Sequence, residues 1–270
     1  MADLLAEVHH DAMTVLTSRP TALDLVRSVV VALLAVAQIA VPAFAGSDIG
    51  AIANTYPSPV LAAGWAFSIW GLIYLGFLAY AGFQLLAGQR GRRVHRRSGW
   101  WLAVSALANM AWIAAFGAGN LLLAEAALIL LAVVLTVVFV RLSADPAESG
   151  LEQGVFRFPV SLYTGWVAAA LVQGTLATGV WIGLPSDGAL TIVASIVLLV
   201  GLTLTVVAVA NSATGIAGLA AAVVWALAGV VANDRPLAVA VVSVVALAFV
   251  SVTAIRRIAR SVQHRQVALG

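Results

Sequence analysis

Residues 64–74 read Gly-Trp-Ala-Phe-Ser-Ile-Trp-Gly-Leu-Ile-Tyr and bring four aromatic side chains to the start of one apolar segment. In a helix that begins with this stretch, Trp70 and Tyr74 are four residues apart and lie on the same face. Trp65 and Phe67 come about one turn earlier, at the depth where membrane proteins carry interfacial belts of aromatic residues. An interfacial belt accounts for Trp65 and Phe67, whereas a binding pocket accounts better for Trp70 and Tyr74. The stretch alone leaves both interpretations open.

The residues on both sides of this stretch have the composition of an integral membrane protein. Of the 270 residues, 63% are hydrophobic and 9% are charged, and the mean hydropathy is +1.06. Soluble domains are only about half apolar. We therefore predict an all-α fold, a polytopic membrane helix bundle with about eight apolar runs long enough to cross a bilayer. The absence of cysteine excludes disulfides and thiolate metal sites.

The basic residues predict how the chain is oriented in the membrane. All of them are arginine, five within residues 90–97 and four within residues 256–265. The positive-inside rule assigns both clusters to the cytoplasmic side, and an even number of spans places both termini there too. Because the positive charge sits in short loops, we predict no nucleic-acid partner. Arginine without lysine, beside much Ala, Val and Gly, indicates a bacterial protein, which we expect in the inner (cell) membrane.

The chain divides by composition into three parts. Residues 1–20 are amphipathic with an acidic face and predict a short helix on the membrane surface. Residues 21–183 carry Trp, Tyr and Asn at helical spacing and predict a five-helix bundle, whose first loop is residues 46–63. Residues 184–270 add three helices rich in Val, Ala, Leu and Gly, with a basic tail. We expect these helices to pack beside the bundle or to support a homo-oligomer, and Trp225 within them to leave ligand affinity unaffected.

Two further spans carry aromatic residues beside one amide. Asn109, Trp112 and Phe116 share one stripe of the predicted third span. An amide in hydrocarbon is costly without a partner, so Asn109 is expected to face a ligand or to hydrogen-bond a neighbouring helix. Tyr163 and Trp166 lie on one face of the fifth span, again with an amide two turns further along. Three spans thus present aromatic stripes that fit a single pocket.

Few residues could support catalysis or metal binding. Glu125 is the one acid well inside a predicted span, where a carboxylate bridged by water near the outer surface is favoured over a proton relay. His95 lies among arginines and His264 lies in the tail, so no two histidines from spans can hold a metal or a haem iron axially. No nucleophile or acid–base pair is recognisable. An enzymatic role is therefore disfavoured, and no obligatory cofactor is expected.

The order of these features over residues 49–178 resembles the TspO/translocator protein family, the tryptophan-rich sensory proteins. Its members carry a Pro-rich first loop, Gly-Trp-x-Phe and Trp-x-x-x-Tyr on the second helix, Asn-x-x-Trp-x-x-x-Phe on the third, and a Pro followed by Leu, Trp and Phe on the fifth. The matching residues are Pro57, Pro59, Gly64, Trp65, Phe67, Trp70, Tyr74, Asn109, Trp112, Phe116, Pro159, Leu162, Tyr163 and Trp166. The chain departs from the pattern at Tyr163, which replaces a Trp, and in a shorter spacing between Phe67 and Trp70.

The resemblance implies a five-helix bundle with a cavity under the first loop that binds tetrapyrroles or sterols. We therefore expect a membrane binding or sensory protein for a flat hydrophobic molecule, a tetrapyrrole such as protoporphyrin or haem, which it could also carry. A secondary transporter of a small metabolite or lipid is the alternative, although no inverted repeat is visible. The residues expected to bind the ligand are Trp65, Phe67, Trp70, Tyr74, Asn109, Trp112, Phe116, Tyr163 and Trp166.

Overall fold

The computed structural model of this protein describes residues 20–45 and 49–270. Of the surface helix predicted for residues 1–20, only residue 20 is described. That prediction therefore lies outside the described residues. Every regular element in the described ranges is helical. The elements are α1 (Ala22–Ala45), α2 (Ile49–Thr55), a 3₁₀ turn (Gly64–Ser68), α3 (Ile69–Leu85), α4 (Arg93–Gly117), α5 (Leu121–Ala144), α6 (Gly150–Glu152) with a π turn (Gln153–Arg157), α7 (Phe158–Trp181), α8 (Ala189–Ser212), α9 (Ile216–Val231), α10 (Leu237–Arg260) and α11 (His264–Leu269).

The predicted polytopic all-α membrane bundle is confirmed. In the described chain, seven helical segments are long and apolar enough to cross a membrane. The remaining predicted span, the seventh in chain order, corresponds to α9, an apolar helix of 16 residues. At about 1.5 Å per residue α9 is about 24 Å long, somewhat less than the roughly 30 Å hydrocarbon core.

The turn between α4 and α5 is formed by a glycine and by an asparagine that caps the next helix. The Oδ1 atom of Asn120 accepts a hydrogen bond from the backbone N–H of Leu123 at 3.1 Å and so caps the start of α5. Gly119 just before it has a φ of +72°, a backbone conformation that favours glycine. The link between α4 and α5 is therefore a tight antiparallel hairpin.

Helices α1, α3, α4, α5 and α7 form one bundle, and α8, α9 and α10 pack on its flank. Helix α9 lies directly against α7, and α8 and α10 pack against α9 and against each other. A Cβ atom added at Gly218 of α9 would lie 2.7 Å from backbone atoms of Leu162 and Phe158 in α7. Glycine at this position thus permits a close helix approach of the kind that stabilises membrane bundles.

The arginine-rich loops meet at one end of the bundle and form a buried ionic network. Glu152 accepts hydrogen bonds from Arg92 at 2.6 Å and from Arg157 at 2.7 Å, and the side chains of all three are almost fully buried. Burial acts to lower the pKa of Arg92, but its contacts with Glu148 and Glu152 outweigh this and raise that pKa above its ordinary value. These residues hold the α4 and α7 ends of the bundle together.

His95 lies in the first turn of α4 and is fully buried, whereas the sequence places it in a loop among arginines. Its ring lies 5.4 Å from that of Phe156 and 5.7 Å from that of Tyr80, centroid to centroid. Helix α4 begins at Arg93, and Arg96 and Arg97 in its first two turns pair with Asp24 and Asp145. His95 itself turns inward on the same helix.

Candidate functional site

A cavity lies between α3, α4, α5 and α7, beneath the segment of residues 56–68, which we call the roof. Its room for water-sized molecules is about 50 Å³, and the wider recess, which includes space open to solvent, is about 600 Å³. Its lining is mainly apolar, and the described residues that form it all lie between residues 49 and 178. The lining residues are Ile49, Ala53, Ser58, Leu61, Phe67, Trp70, Trp112, Phe116, Leu121, Ala124, Glu125, Leu128, Trp166, Ala170, Gln173, Gly174, Ala177 and Thr178.

Trp70 is the centre of an aromatic cluster that borders this cavity. Its ring stacks on Trp112 of α4, with centroids 5.4 Å apart, and on Tyr74 of its own helix at 5.6 Å. Tyr163 and Trp166 of α7 meet it edge-on at 5.8 and 6.2 Å. The three aromatic stripes read from the sequence therefore converge at one place, which accounts for the deep burial of these rings.

Five of the nine predicted ligand-binding residues line the cavity. They are Phe67, Trp70, Trp112, Phe116 and Trp166. Phe67 also meets Trp166 edge-on at 5.9 Å, and Trp112 stacks on Phe116 at 5.7 Å. These rings form a continuous aromatic wall along α4, α3 and α7.

Three other predicted residues lie behind this wall. Tyr74 stacks against Trp70 and accepts a hydrogen bond of 3.3 Å from the Nδ2 atom of Asn109. Tyr163 lines a smaller pocket between α3 and α7. Asn109 thus pairs with a neighbouring helix, the alternative that the sequence left open beside ligand contact.

Trp65 lies away from the cavity. Its side chain is 46% exposed, and its ring meets that of Trp225 edge-on at 4.8 Å. The stretch begins as a 3₁₀ turn rather than an α-helix, with about three residues per turn. Residues two positions apart in such a turn point in different directions, so Phe67 faces the cavity and Trp65 faces outward.

Several buried polar atoms of the aromatic cluster lack a hydrogen-bond partner within the described residues. They are the Nε1 atoms of Trp70 and Trp166, the hydroxyl of Tyr163 and the Oδ1 atom of Asn109. The two indole N–H groups belong to residues that line the cavity. Buried donors of this kind are costly unless they are paired.

A family model described as TSPO-like protein matches residues 22–256 of the chain. The chain belongs to the TSPO-like protein family. The match includes α8, α9 and α10, beyond the region in which the sequence motifs were recognised. Comparison with curated proteins and with solved structures gave no significant match.

Gln173 and Glu125 also line this TSPO-like cavity, although neither was among the predicted ligand-binding residues. Gln173 uses its Oε1 atom to accept a hydrogen bond of 3.0 Å from the backbone N–H of Ala62, and so ties α7 to the roof. Glu125 accepts a hydrogen bond of 2.6 Å from the hydroxyl of Thr175. Both were visible in the sequence as polar groups inside spans, but only the packing of α5 and α7 places them at the cavity.

Helix α9 and the loop after it hold the roof of the TSPO-like cavity without lining it. The backbone carbonyl of Gly229 accepts from Ala63 at 2.8 Å, and the indole of Trp225 donates to the carbonyl of Ala66 at 2.8 Å. The side chains of Asn233 and Arg235 donate to the roof carbonyls of Leu61 at 3.1 Å and Ser58 at 2.8 Å. The C-terminal helices therefore support the cavity from outside.

Proposed function

We propose that this TSPO-like protein binds a flat hydrophobic ligand, a tetrapyrrole such as protoporphyrin or haem, in the cavity under the roof. The observation that carries the proposal is the convergence of Trp70, Trp112 and Trp166 on one mainly apolar cavity. Large aromatic surfaces gain most from contact with other aromatic rings. Sites for small apolar molecules are lined in this way, with a few polar groups to orient the ligand.

The spacing of the rings indicates how a macrocycle would be held. A plane inserted between two parallel rings needs them about 7 Å apart, twice the optimal separation of carbon atoms. Trp70 and Trp112 are only 5.4 Å apart, so the ligand would lie against the cavity side of the aromatic wall instead of between these two rings. Histidine is not among the described lining residues, and a haem would be held by stacking and shape rather than by axial ligation.

The proposal extends to the setting of the site. We place the protein in a bacterial inner membrane with the arginine-rich end in the cytoplasm, because basic loops favour that side. In this orientation the roof lies on the outer side of the membrane. Binding of the ligand in the cavity then serves either to sense the ligand or to carry it. A tetrapyrrole partitions into the bilayer, from which it can reach the cavity between helices.

Direct titration tests this function. The purified protein in lipid nanodiscs is titrated with protoporphyrin IX while the Soret absorbance and the tryptophan fluorescence are recorded. We expect a saturable shift in absorbance together with saturable quenching, because Trp70, Trp112 and Trp166 border the site. Empty nanodiscs serve as the control for partition into lipid. A signal that rises linearly, as it does in the empty discs, would contradict the proposal.

A further inference from the structure

Arg235 is set apart from the other arginines of the described chain by its position. It lies in the loop between α9 and α10, at the roof end of the bundle. The others are at the opposite end, in or near the loops that join α3 to α4 and α5 to α7, in the first turns of α1, or near the end of α10 and beyond. Because Arg235 lies at the end opposite the basic loops, the positive-inside rule does not account for its position.

Arg235 contacts the roof of the cavity at Ser58. One terminal nitrogen of its guanidinium donates a hydrogen bond of 2.8 Å to the backbone carbonyl of Ser58. Ser58 lines the cavity and is 2% exposed. The guanidinium thus lies beside a lining residue while its own side chain stays partly exposed.

The guanidinium retains binding capacity after this contact. Its Nε atom is buried without a hydrogen-bond partner, and no carboxylate pairs with it among the residues that the structure describes. Partial burial lowers the pKa of Arg235 from its ordinary value, although Asp234 raises it in part. A partly desolvated guanidinium gains strongly from a hydrogen-bonded anion, which it binds through two parallel N–H groups.

The described residues that line the cavity include no cation that could pair with an anion. The one ionisable group among its described lining residues is Glu125, which is acidic. A ligand that carries carboxylates would therefore keep them away from the interior and place them where a cation is available. Arg235 is the cation that contacts the lining.

We propose that Arg235 binds a carboxylate of the ligand at the roof, so that a flat apolar ring enters the cavity and its acidic substituents stay near the roof. This inference rests on the proposed function and adds the residue that holds the carboxylates of the ligand and the end of the cavity at which they lie. It also assigns a role in recognition to the C-terminal helices, which contribute this cation although they do not line the cavity.

Two ligands that differ only in charge test the proposal. Protoporphyrin IX, with free carboxylates, and its neutral dimethyl ester are each titrated against the unmodified protein, Arg235→Gln and Arg235→Lys in zwitterionic nanodiscs. Arg256→Gln, at the opposite end of the bundle, is the matched control for the loss of one arginine. We expect the unmodified protein to bind the free acid about tenfold more tightly than the ester, a difference of about 1.4 kcal/mol.

The variants then separate the possible outcomes. Arg235→Gln should abolish the preference, so that it binds the two ligands with equal affinity, and Arg235→Lys should restore part of the preference for the acid. Arg256→Gln should behave as the unmodified protein does. A preference for the acid that persists in Arg235→Gln, or an equal loss of both ligands, would overturn this inference alone. Failure of the unmodified protein to bind either porphyrin would overturn the proposed function and this inference with it.

Discussion

The indole Nε1 atom of Trp225 donates a hydrogen bond of 2.8 Å to the backbone carbonyl of Ala66. This bond connects helix α9 to the 3₁₀ turn that carries Phe67 to the cavity. The Trp225 ring also packs edge-on against Trp65. From the sequence we expected Trp225 to leave ligand affinity unaffected, but these contacts now lead us to expect a measurable effect.

Replacement of Trp225 by Phe tests this link. Trp225→Phe keeps an aromatic ring and removes the donor, and a hydrogen bond is worth about 0.5 to 1.5 kcal/mol net. We expect protoporphyrin to bind roughly two- to tenfold more weakly, because the 3₁₀ turn is held less firmly. Titration in nanodiscs measures the change, with Trp100→Phe on the exposed face of α4 as the control. Identical affinities for the two variants would show that the bond does not support the site.

The aromatic wall predicts a contrast between two tryptophans of the same helix. Trp112 lines the cavity and is 7% exposed, whereas Trp100 is 42% exposed on α4. Loss of one buried aromatic contact costs on the order of 1.5 to 3 kcal/mol, so Trp112→Ala should weaken protoporphyrin binding about tenfold to a hundredfold. Trp100→Ala should change it little. Both variants remove the same side chain, and equal affinities would argue against the proposed pocket.

Glu125 predicts an effect of opposite sign on an acidic ligand. Its carboxylate lines the cavity and accepts a hydrogen bond from Thr175. A negative charge there repels the carboxylates of protoporphyrin across a medium of low dielectric constant. Glu125→Gln keeps the shape and the hydrogen-bonding capacity of the side chain, and we expect it to bind the free acid a few-fold more tightly at pH 8 without a change for the dimethyl ester. An equal gain for both ligands would point to packing instead of charge.

The buried ionic network predicts that two neighbouring glutamates differ in their contribution to stability. Glu152 contacts Arg92 and Arg157 and is fully buried, whereas Glu148 contacts only Arg92 among these arginines and its side chain is 75% exposed. Glu152→Ala leaves two buried cations without this partner, and we expect the free energy of unfolding to fall by about 3 to 5 kcal/mol. Glu148→Ala should cost less than about 1 kcal/mol.

Unfolding in mixed micelles, followed by circular dichroism, measures both glutamate variants. Ligand affinity should be retained in whatever fraction of Glu152→Ala is folded, since the network lies at the end of the bundle opposite the roof. Similar losses of stability for the two variants would contradict the structure of this network.

The close approach of α7 and α9 predicts a similar contrast between two glycines. A Cβ atom at Gly218 would lie 2.7 Å from the α7 backbone, whereas one at Gly201 in α8 would have no neighbour within 4 Å. Gly218→Leu forces the helices apart, and overpacking of this kind costs about 1 to 3 kcal/mol or more. We expect a lower thermal midpoint for Gly218→Leu than for Gly201→Leu. Midpoints that fall equally would contradict the helix contact.

Much of the site could be predicted because helical periodicity is a local property. The stripes that contain Trp70, Trp112 and Trp166 were recognisable from spacing alone, and the structure brings the rings of Trp112 and Trp166 within about 5 to 6 Å of that of Trp70. Trp65 shows the limit of that reasoning. Residues two positions apart point in different directions in a 3₁₀ turn and in an α-helix alike, and only the packing of this turn against α9 decides that Phe67 faces the cavity and Trp65 faces Trp225.

The sequence by itself determined that this is a polytopic helical membrane protein of the TSPO-like family, and which helix faces carry aromatic residues. These properties follow from hydropathy, helical spacing and motif order, all of which are read along the chain. Only the tertiary structure decided that Glu152 is buried between two arginines, that α9 holds the roof, and that Arg235 lies beside Ser58. The bond from Arg235 to Ser58 joins residues 177 positions apart, and no local pattern encodes such a contact because it depends on how the completed helices pack.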